Sequence, residues 1–155
     1  MIDTEQLKKF KKEADGTGYE NEKPVNEIKE KDGSTTLWHQ SGDWKYHDNY
    51  FGGEPYGGRT IISYQKKPVW IMVYYGYLDK VSNPDEAYLF LRKALRAKEE
   101  GFRGPREFGE GNYKYVNTWE GDIENYFGRE DIFLNNTLIY TARYMGGLVD
   151  QREGD

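Results

Sequence analysis

Tyr46, Asp48 and Tyr50 stand two residues apart, and so do Tyr115, Asn117 and Trp119. In an extended chain such residues share one face, so each set places a short polar group between two aromatic rings. Inside a cleft this is a polar anchor in an aromatic cup, a common make-up of a ligand pocket. Inside a core, Asp48 needs a hydrogen-bonded partner, because burying it bare is costly. The core reading is the simpler one, with Asp48 capping a turn or a backbone amide. Arg59 and Arg129 each follow an aromatic-x-Gly step. Two guanidinium groups at related positions could clamp an anion or a partner carboxylate, although ordinary surface ion pairs would use them equally well. These eight residues form the candidate ligand- or partner-binding set. The best enzymatic case is Asp48 or Glu54 as acid or base beside Tyr50, with Arg59 holding an anion.

Other chemistry has less to stand on. His39 and His47 could bind a metal or act as a base if they shared a cleft, yet position 47 is answered by Val116 in a later echo of the same phrase. Asp122, Glu124, Glu130 and Asp131 offer oxygen ligands but lack the spacing of a calcium loop, and a solvated turn is expected there. Ser34, Ser41, Ser63 and Ser82 show no nucleophile elbow. GGEPYGG, at 52–58, is not followed by the Lys and Ser or Thr of a phosphate loop, and it opens a strand. The sequon at Asn135 carries no weight without a secretion signal. No metal and no cofactor is expected, and the chain leans away from being an enzyme.

Composition narrows the partners. Fourteen Tyr, 7 Phe and 4 Trp make the apolar mass mainly aromatic, and 18 Gly against 5 Pro implies many tight turns. Both point to strands rather than a leucine-rich bundle. There is no Cys, which removes disulfides and thiolate chemistry. A net charge of -5 argues against binding a phosphate backbone and leaves a basic protein partner open. The longest apolar run, 69–78, is too short for a membrane helix, and the N-terminus MIDTEQLKKF has no apolar signal region. A cytoplasmic location with no membrane contact is the simplest expectation, and a homodimer through an exposed sheet edge stays open.

The elements follow from patterning. A short N-terminal helix is expected, capped by Asp3 or Thr4, carrying Leu7, Phe10 and Ala14 and ending at Gly16 or Gly18. YENEKPVNEIKEKDGS is a long loop or weak edge strand, and STTLWHQ a short strand. WKYHDNYF, TIISYQ and PVWIMVYYG read as strands, the last two joined by a tight turn at QKKP. A helix over about 84–98 is capped by Ser82 or Asn83, with Asp85 and Glu86 at its positive end and Arg92, Lys93, Arg96 and Lys98 at its negative end. EEGFRGPREFGEG is a linker, after which YKYVNTWEG, EDIFLNN and TLIYTARYMGG repeat the strand order. Residues 151–155 read as a flexible tail.

The strand blocks are two copies of one unit. At an offset of 69, Gly42, Trp44, Lys45, Tyr46, Asp48, Tyr50 and Gly52 face Gly111, Tyr113, Lys114, Tyr115, Asn117, Trp119 and Gly121. After one inserted residue the offset is 70, and Tyr56, Gly58, Arg59, Ile62, Tyr74 and Gly76 face Tyr126, Gly128, Arg129, Ile132, Tyr144 and Gly146. A unit unable to bury its apolar face alone is stabilised by a neighbour that covers it. The expected fold is one α+β domain over 1–150. It is mainly antiparallel sheet, built from two three-stranded meanders (about 42–78 and 111–148) related by a pseudo-twofold axis, with the 84–98 helix across one face.

The run YHDNYFGGEPYGGRTIISYQKKPVWIMVYYGYL, the helix LFLRKALRA, the segment FRGPREF and the run YKYVNTWEGDIENYFGREDIFLNNTLIYTARYMGG resemble the bacterial domain of unknown function 5680. LKKFKKEADGTGY also resembles the way that domain begins. The domain often follows a helix-turn-helix of the Xre repressor type, which implies a module joined to regulators as a sensor or interaction domain. This chain leaves no room ahead of the domain for a helix-turn-helix, so direct DNA reading is not expected. A non-catalytic module binding a small ligand or a protein is the leading expectation. The alternatives are a stand-alone acidic inhibitor of the antitoxin, immunity or phage counter-defence kind, which would bind a basic protein, and a small enzyme.

Overall fold

The computed structural model describes residues 1–98 and 103–152. Helix α1 (Thr4–Thr17) precedes strands β1 (Glu27–Lys29), β2 (Thr35–Ser41), β3 (Trp44–Phe51), β4 (Tyr56–Tyr64) and β5 (Lys67–Leu78). Helix α2 (Pro84–Arg96) then precedes β6 (Glu107–Glu110), β7 (Tyr113–Asp122), β8 (Asn125–Leu134) and β9 (Thr137–Leu148). All nine strands form one antiparallel sheet in the order β1-β2-β3-β4-β5-β9-β8-β7-β6. Of the expected linker, Glu99–Phe102 lie outside the described residues, and its end is the edge strand β6 rather than coil. Residues 153–155 of the expected tail also lie outside them.

The duplication is real and larger than the strand pattern implies. The two meanders meet at β5 and β9, where Trp70 pairs Leu148, Tyr74 pairs Tyr144 and Leu78 pairs Tyr140. Exchanging the repeats maps this register onto itself, so the pseudo-twofold axis passes between Tyr74 and Tyr144. The bulge between Ile62 and Ser63 recurs between Ile132 and Phe133. The sequence reading expected both helices, the 84–98 one across the sheet and a short N-terminal one; the structure adds that each repeat owns one of them. Asp3, Leu7, Phe10 and Ala14 of α1 match Asn83, Ala87, Phe90 and Ala94 of α2 at constant spacing. Asp3 and Asn83 cap in the same way, each accepting from the two amides that lie two and three residues on. The helix copy escapes a search for identities because only an apolar stripe and a cap are kept.

Both helices lie on one face of the sheet. α1 packs on Tyr46, Ile62, Trp70 and Met72, while α2 packs on Leu78, Tyr115, Ile132, Tyr140 and Ala142. The face follows from alternation: Tyr46, Asp48 and Tyr50 of β3 oppose Ile62, Thr60 and Gly58 of β4, and those oppose Trp70, Met72 and Tyr74 of β5. Among the described residues no helix covers the opposite face, which exposes Phe51, Val73, Tyr75, Phe127 and Met145.

The hairpin turns carry a local cost. Gln65 and Lys66 have φ of 50° and 68°, and Asn135 and Asn136 have 50° and 65°. Two successive left-handed residues match the right-handed twist of the strands. Asn tolerates this backbone, whereas Gln and Lys meet a Cβ clash of about 1 kcal/mol or more each. Replacing Gln65 by Asn and Lys66 by Gly is expected to stabilise the fold by roughly 1 kcal/mol, a rise of about 2–4 °C in Tm for a chain of this size. Thermal unfolding checks it, and a lower Tm would refute it.

Candidate functional site

The core-side face of repeat one is not fully filled. Between it and the two helices lies a cavity of about 720 Å³. Its floor is Tyr46, Asp48, Tyr50, Thr60, Met72 and Tyr74 of the sheet, and its walls include Lys11, Asp15, Tyr88, Lys98 and Arg103. Three of the eight residues singled out in the sequence, Tyr46, Asp48 and Tyr50, therefore meet in one place, inside a cleft. Glu54 joins them there, bonded to the amide of Leu78 and the hydroxyl of Tyr88.

Asp48 is 5% exposed. Its Oδ1 accepts from the Tyr74 hydroxyl at 2.5 Å and the Thr60 hydroxyl at 3.2 Å. It thus bonds neutral side-chain hydroxyls, not the turn or backbone amide anticipated above. Burial pushes its carboxyl up to about 6, against the downward pull of those two hydroxyls, with the Asp15 carboxylate adding to the rise.

Beside Asp48 sits a buried ionic network. Lys11 Nζ donates to Asp15 at 2.6 Å, Lys98 donates to Asp15 at 3.2 Å and to Glu20, and the Tyr46 hydroxyl donates to Asp15 at 3.0 Å. Burial would raise Asp15, but the Lys11 and Lys98 ammonium groups overcome it and hold the carboxyl low. Burial opposes the charge on Lys98 as well, and Asp15 with Glu20 more than restores it. For Lys11 burial wins and the ammonium is held below its ordinary value. A buried network of this kind is tolerated only when its members satisfy one another. In α2, Leu91 and Leu95 stand where α1 has Lys11 and Asp15, so repeat two packs hydrocarbon at the equivalent place.

Repeat two closes the face that repeat one leaves open. The segment from Arg103 to Arg106 turns over it. The Asn117 side-chain amide donates to the Gly104 carbonyl at 3.0 Å, and the Arg106 guanidinium stacks on Trp119 at 3.4 Å from the ring centre. Glu130, fully buried, takes Arg103 Nε at 2.8 Å and the Tyr115 hydroxyl. Gly104 makes this possible, because a Cβ there would collide with the Tyr115 hydroxyl. Tyr115, Asn117 and Trp119 are therefore covered by protein, as a core reading expects. Asn117 Oδ1 accepts from Tyr144 at 2.5 Å, the same bond that Asp48 receives from Tyr74.

The arginine pair behaves differently. Asp48 pairs with Thr60 on the covered face, so Arg59 projects to the other side, where it is exposed. Arg129 is likewise exposed and pairs with Asp131 at 3.0 Å. Strand alternation thus separates both arginines from the cavity, and the arrangement of Arg59 holding an anion beside Asp48 is not formed. The histidines do not converge either: His39 bonds Glu13 at 2.9 Å and stacks on Phe10, whereas His47 lies on the opposite face. Glu130 and Asp131 also point to opposite faces, which breaks up the acidic cluster. The sequence reading missed Lys11, Asp15, Lys98 and Arg103. Lys11 and Asp15 sit on the helix stripe with Leu7 and Ala14, a polar intrusion at helical spacing that was the available signal. Arg103 had none beyond its place in FRGPREF.

Asp48 has a thermodynamic signature. An acid whose value is raised on folding keeps its proton to higher pH in the folded state, so its contribution to stability is best below its ordinary 3.8 and falls as pH rises through about 6. At about 1.4 kcal/mol per pH unit this loss amounts to roughly 3 kcal/mol by neutral pH. Asp48→Asn is expected to retain the Tyr74 bond, as Asn117 does with Tyr144, and to remove the loss. Thermal unfolding of both proteins from pH 4 to 8 should show Tm curves that coincide near pH 4, diverge between pH 4 and 6 and run parallel above it, with the variant the more stable. A variant less stable at pH 7.5 would refute this account of the carboxyl.

Among the described residues no helix is long and apolar enough to cross a membrane. Comparison with curated proteins and with solved structures gives no match. A family model does match, over residues 48–149, which take in β4 to β9 and α2. The chain belongs to the family described as Domain of unknown function (DUF5680).

Proposed function

We propose that this chain is a non-catalytic binding module whose site is the cavity above repeat one, and that it takes a small organic ligand. The reading rests chiefly on the contrast between Asp48 and Asn117. The two occupy equivalent positions and accept the same tyrosine bond, so the fold is served by an amide. Repeat one nevertheless keeps a buried carboxyl, pushed up to about 6 by burial and so expected to cost stability at neutral pH. Residues that work against stability where a neutral isostere fits are a mark of sites kept for binding or chemistry. The cavity size falls within the range of small-molecule sites, and its tyrosine walls with few polar anchors suit one.

A cytoplasmic ligand sensor of the type attached to regulators accommodates these features best. A protein-binding role is a second reading, favoured by Phe51, Val73, Tyr75, Phe127 and Met145 on the uncovered face of the sheet. The acidic-inhibitor reading keeps only the net charge in its favour, and the enzymatic reading loses the arginine it relied on.

Gly53 lines the cavity, and a side chain added there meets open space. Gly53→Trp is therefore expected to obstruct the cavity with the fold intact. Screening wild type and Gly53→Trp against a chemically diverse small-molecule library by thermal unfolding checks the proposal. At a hundredfold excess over Kd a true ligand adds about 2.7 kcal/mol to wild type and little to the variant. A library without hits, or hits that stabilise both proteins equally, would overturn it.

A further inference from the structure

We propose that the cavity selects organic cations, an amine or quaternary ammonium group carried on a small apolar body, with the positive charge seated at Asp48. The inference rests on the cavity being the binding site, and it assigns the class of ligand. The protein's own charges around the cavity are unequally matched. Lys11 is committed to Asp15, Lys98 to Asp15 and Glu20, and Arg103 to Glu130. Arg92 donates to the Tyr19 carbonyl at 3.0 Å and lies 4.8 Å from the centre of the Tyr19 ring. Each cation in the lining is thus engaged. The carboxyls of Asp48 and Glu54, by contrast, receive bonds only from neutral donors: Tyr74 and Thr60 hydroxyls on one, the Leu78 amide and Tyr88 hydroxyl on the other.

The Asp48 carboxyl feels the Arg103 guanidinium, itself bonded to Glu130, only more weakly than burial and the two hydroxyls; no cation among the described residues bonds it, and an opposite charge at about 4–6 Å is the strongest favourable change its surroundings could make. An entering anion would meet Lys11, Lys98 and Arg103 already paired with carboxylates, an Arg92 guanidinium held by the Tyr19 carbonyl and ring, and a carboxyl that repels it. A neutral ligand could bond Asp48, but Asn would serve that as well. The walls suit a cation further. Tyr56 lies 6.0 Å from both Tyr74 and Tyr88, ring centre to ring centre, and Tyr50 completes the aromatic lining. Such rings attract a cation through their faces and cover its apolar body.

The groups facing Asp48 set its pH response. They are Asp15 from α1, which pushes the carboxyl up, Thr60 from β4, Tyr74 from β5 and Arg103 from the segment ahead of β6, which pull it down, and the neighbouring Tyr46 hydroxyl from its own strand. Burial holds the empty carboxyl at about 6, so a permanently charged ligand must displace a proton when it binds below that pH.

Isothermal titration calorimetry with benzyltrimethylammonium, benzyl alcohol and phenylacetate as cationic, neutral and anionic probes tests the assignment. The cation is expected to bind best at pH 7.5 and to lose about tenfold in affinity at pH 5, with proton release to the buffer. Asp48→Asn is expected to weaken the cation at least tenfold and to abolish the pH dependence, and Gly53→Trp to block it. If benzyl alcohol or phenylacetate binds wild type as tightly as the cation and Gly53→Trp blocks it, the cation assignment falls while the cavity reading stands. Cation binding that is indifferent to pH or to Asp48→Asn overturns the assignment alone. Binding of any probe that survives Gly53→Trp unchanged, or no binding by any of the three, overturns the assignment too, and the first of these counts against the cavity as well.

Discussion

Tyr74 and Tyr144 pair across the seam of β5 and β9, and the rest of the molecule is arranged about that contact. Neither meander, β1–β5 with α1 or β6–β9 with α2, can cover its own inner edge. Antiparallel pairing of β5 with β9 removes the edge from both copies at once, at the register a twofold axis requires. Because β5 and β9 pair in register, side-chain alternation carries across the seam from one repeat to the other, interrupted only at the matched bulges, and both helices lie on the same face. Each tyrosine at the axis turns its hydroxyl to the Asx residue of its own repeat, so the seam reaches directly into both faces.

From that common frame the halves have diverged in how they treat buried charge. Repeat two carries Glu130 at the place of Thr60 in repeat one, and neutralises it with Arg103 under a cover made by residues 103–106. Repeat one carries Asp48 at the place of Asn117, bonds it to no cation among the described residues and leaves the space above it open. The helices differ in the same sense, with Lys11 and Asp15 against Leu91 and Leu95. A buried ion pair that is complete fixes a packing arrangement, whereas a buried carboxyl awaiting a partner favours whatever brings one. The same scaffold thus holds one half whose inner face is covered and one whose inner face is left open.

Much of this was legible beforehand because it is local. Caps at Asp3 and Asn83, the strand alternation and the echo of GDWKYHDNYFGG in GNYKYVNTWEGD are short-range patterns. The grouping of Tyr46, Asp48 and Tyr50 on one face needs only the period of a strand. The helix copy was hidden because helices packed on a sheet retain a stripe and a cap, not identities. The β6 strand was hidden in a glycine-rich segment whose pairing with β7 supplies the order its own residues do not.

What the sequence by itself determined is the set of elements, their duplication and which side chains share a face, since period, caps and turns are written into neighbouring residues. Whether a shared face is core or cleft was decided only by tertiary structure. Tyr46-Asp48-Tyr50 and Tyr115-Asn117-Trp119 are nearly the same phrase, yet one floors a cavity and the other is sealed. The difference comes from segments far away in the chain, Lys11 and Asp15 on α1 and the turn of Arg103 to Arg106, whose positions depend on how helices and loops settle on the finished sheet. Burial, and with it the protonation of Asp48, is a property of that assembly rather than of any stretch of residues.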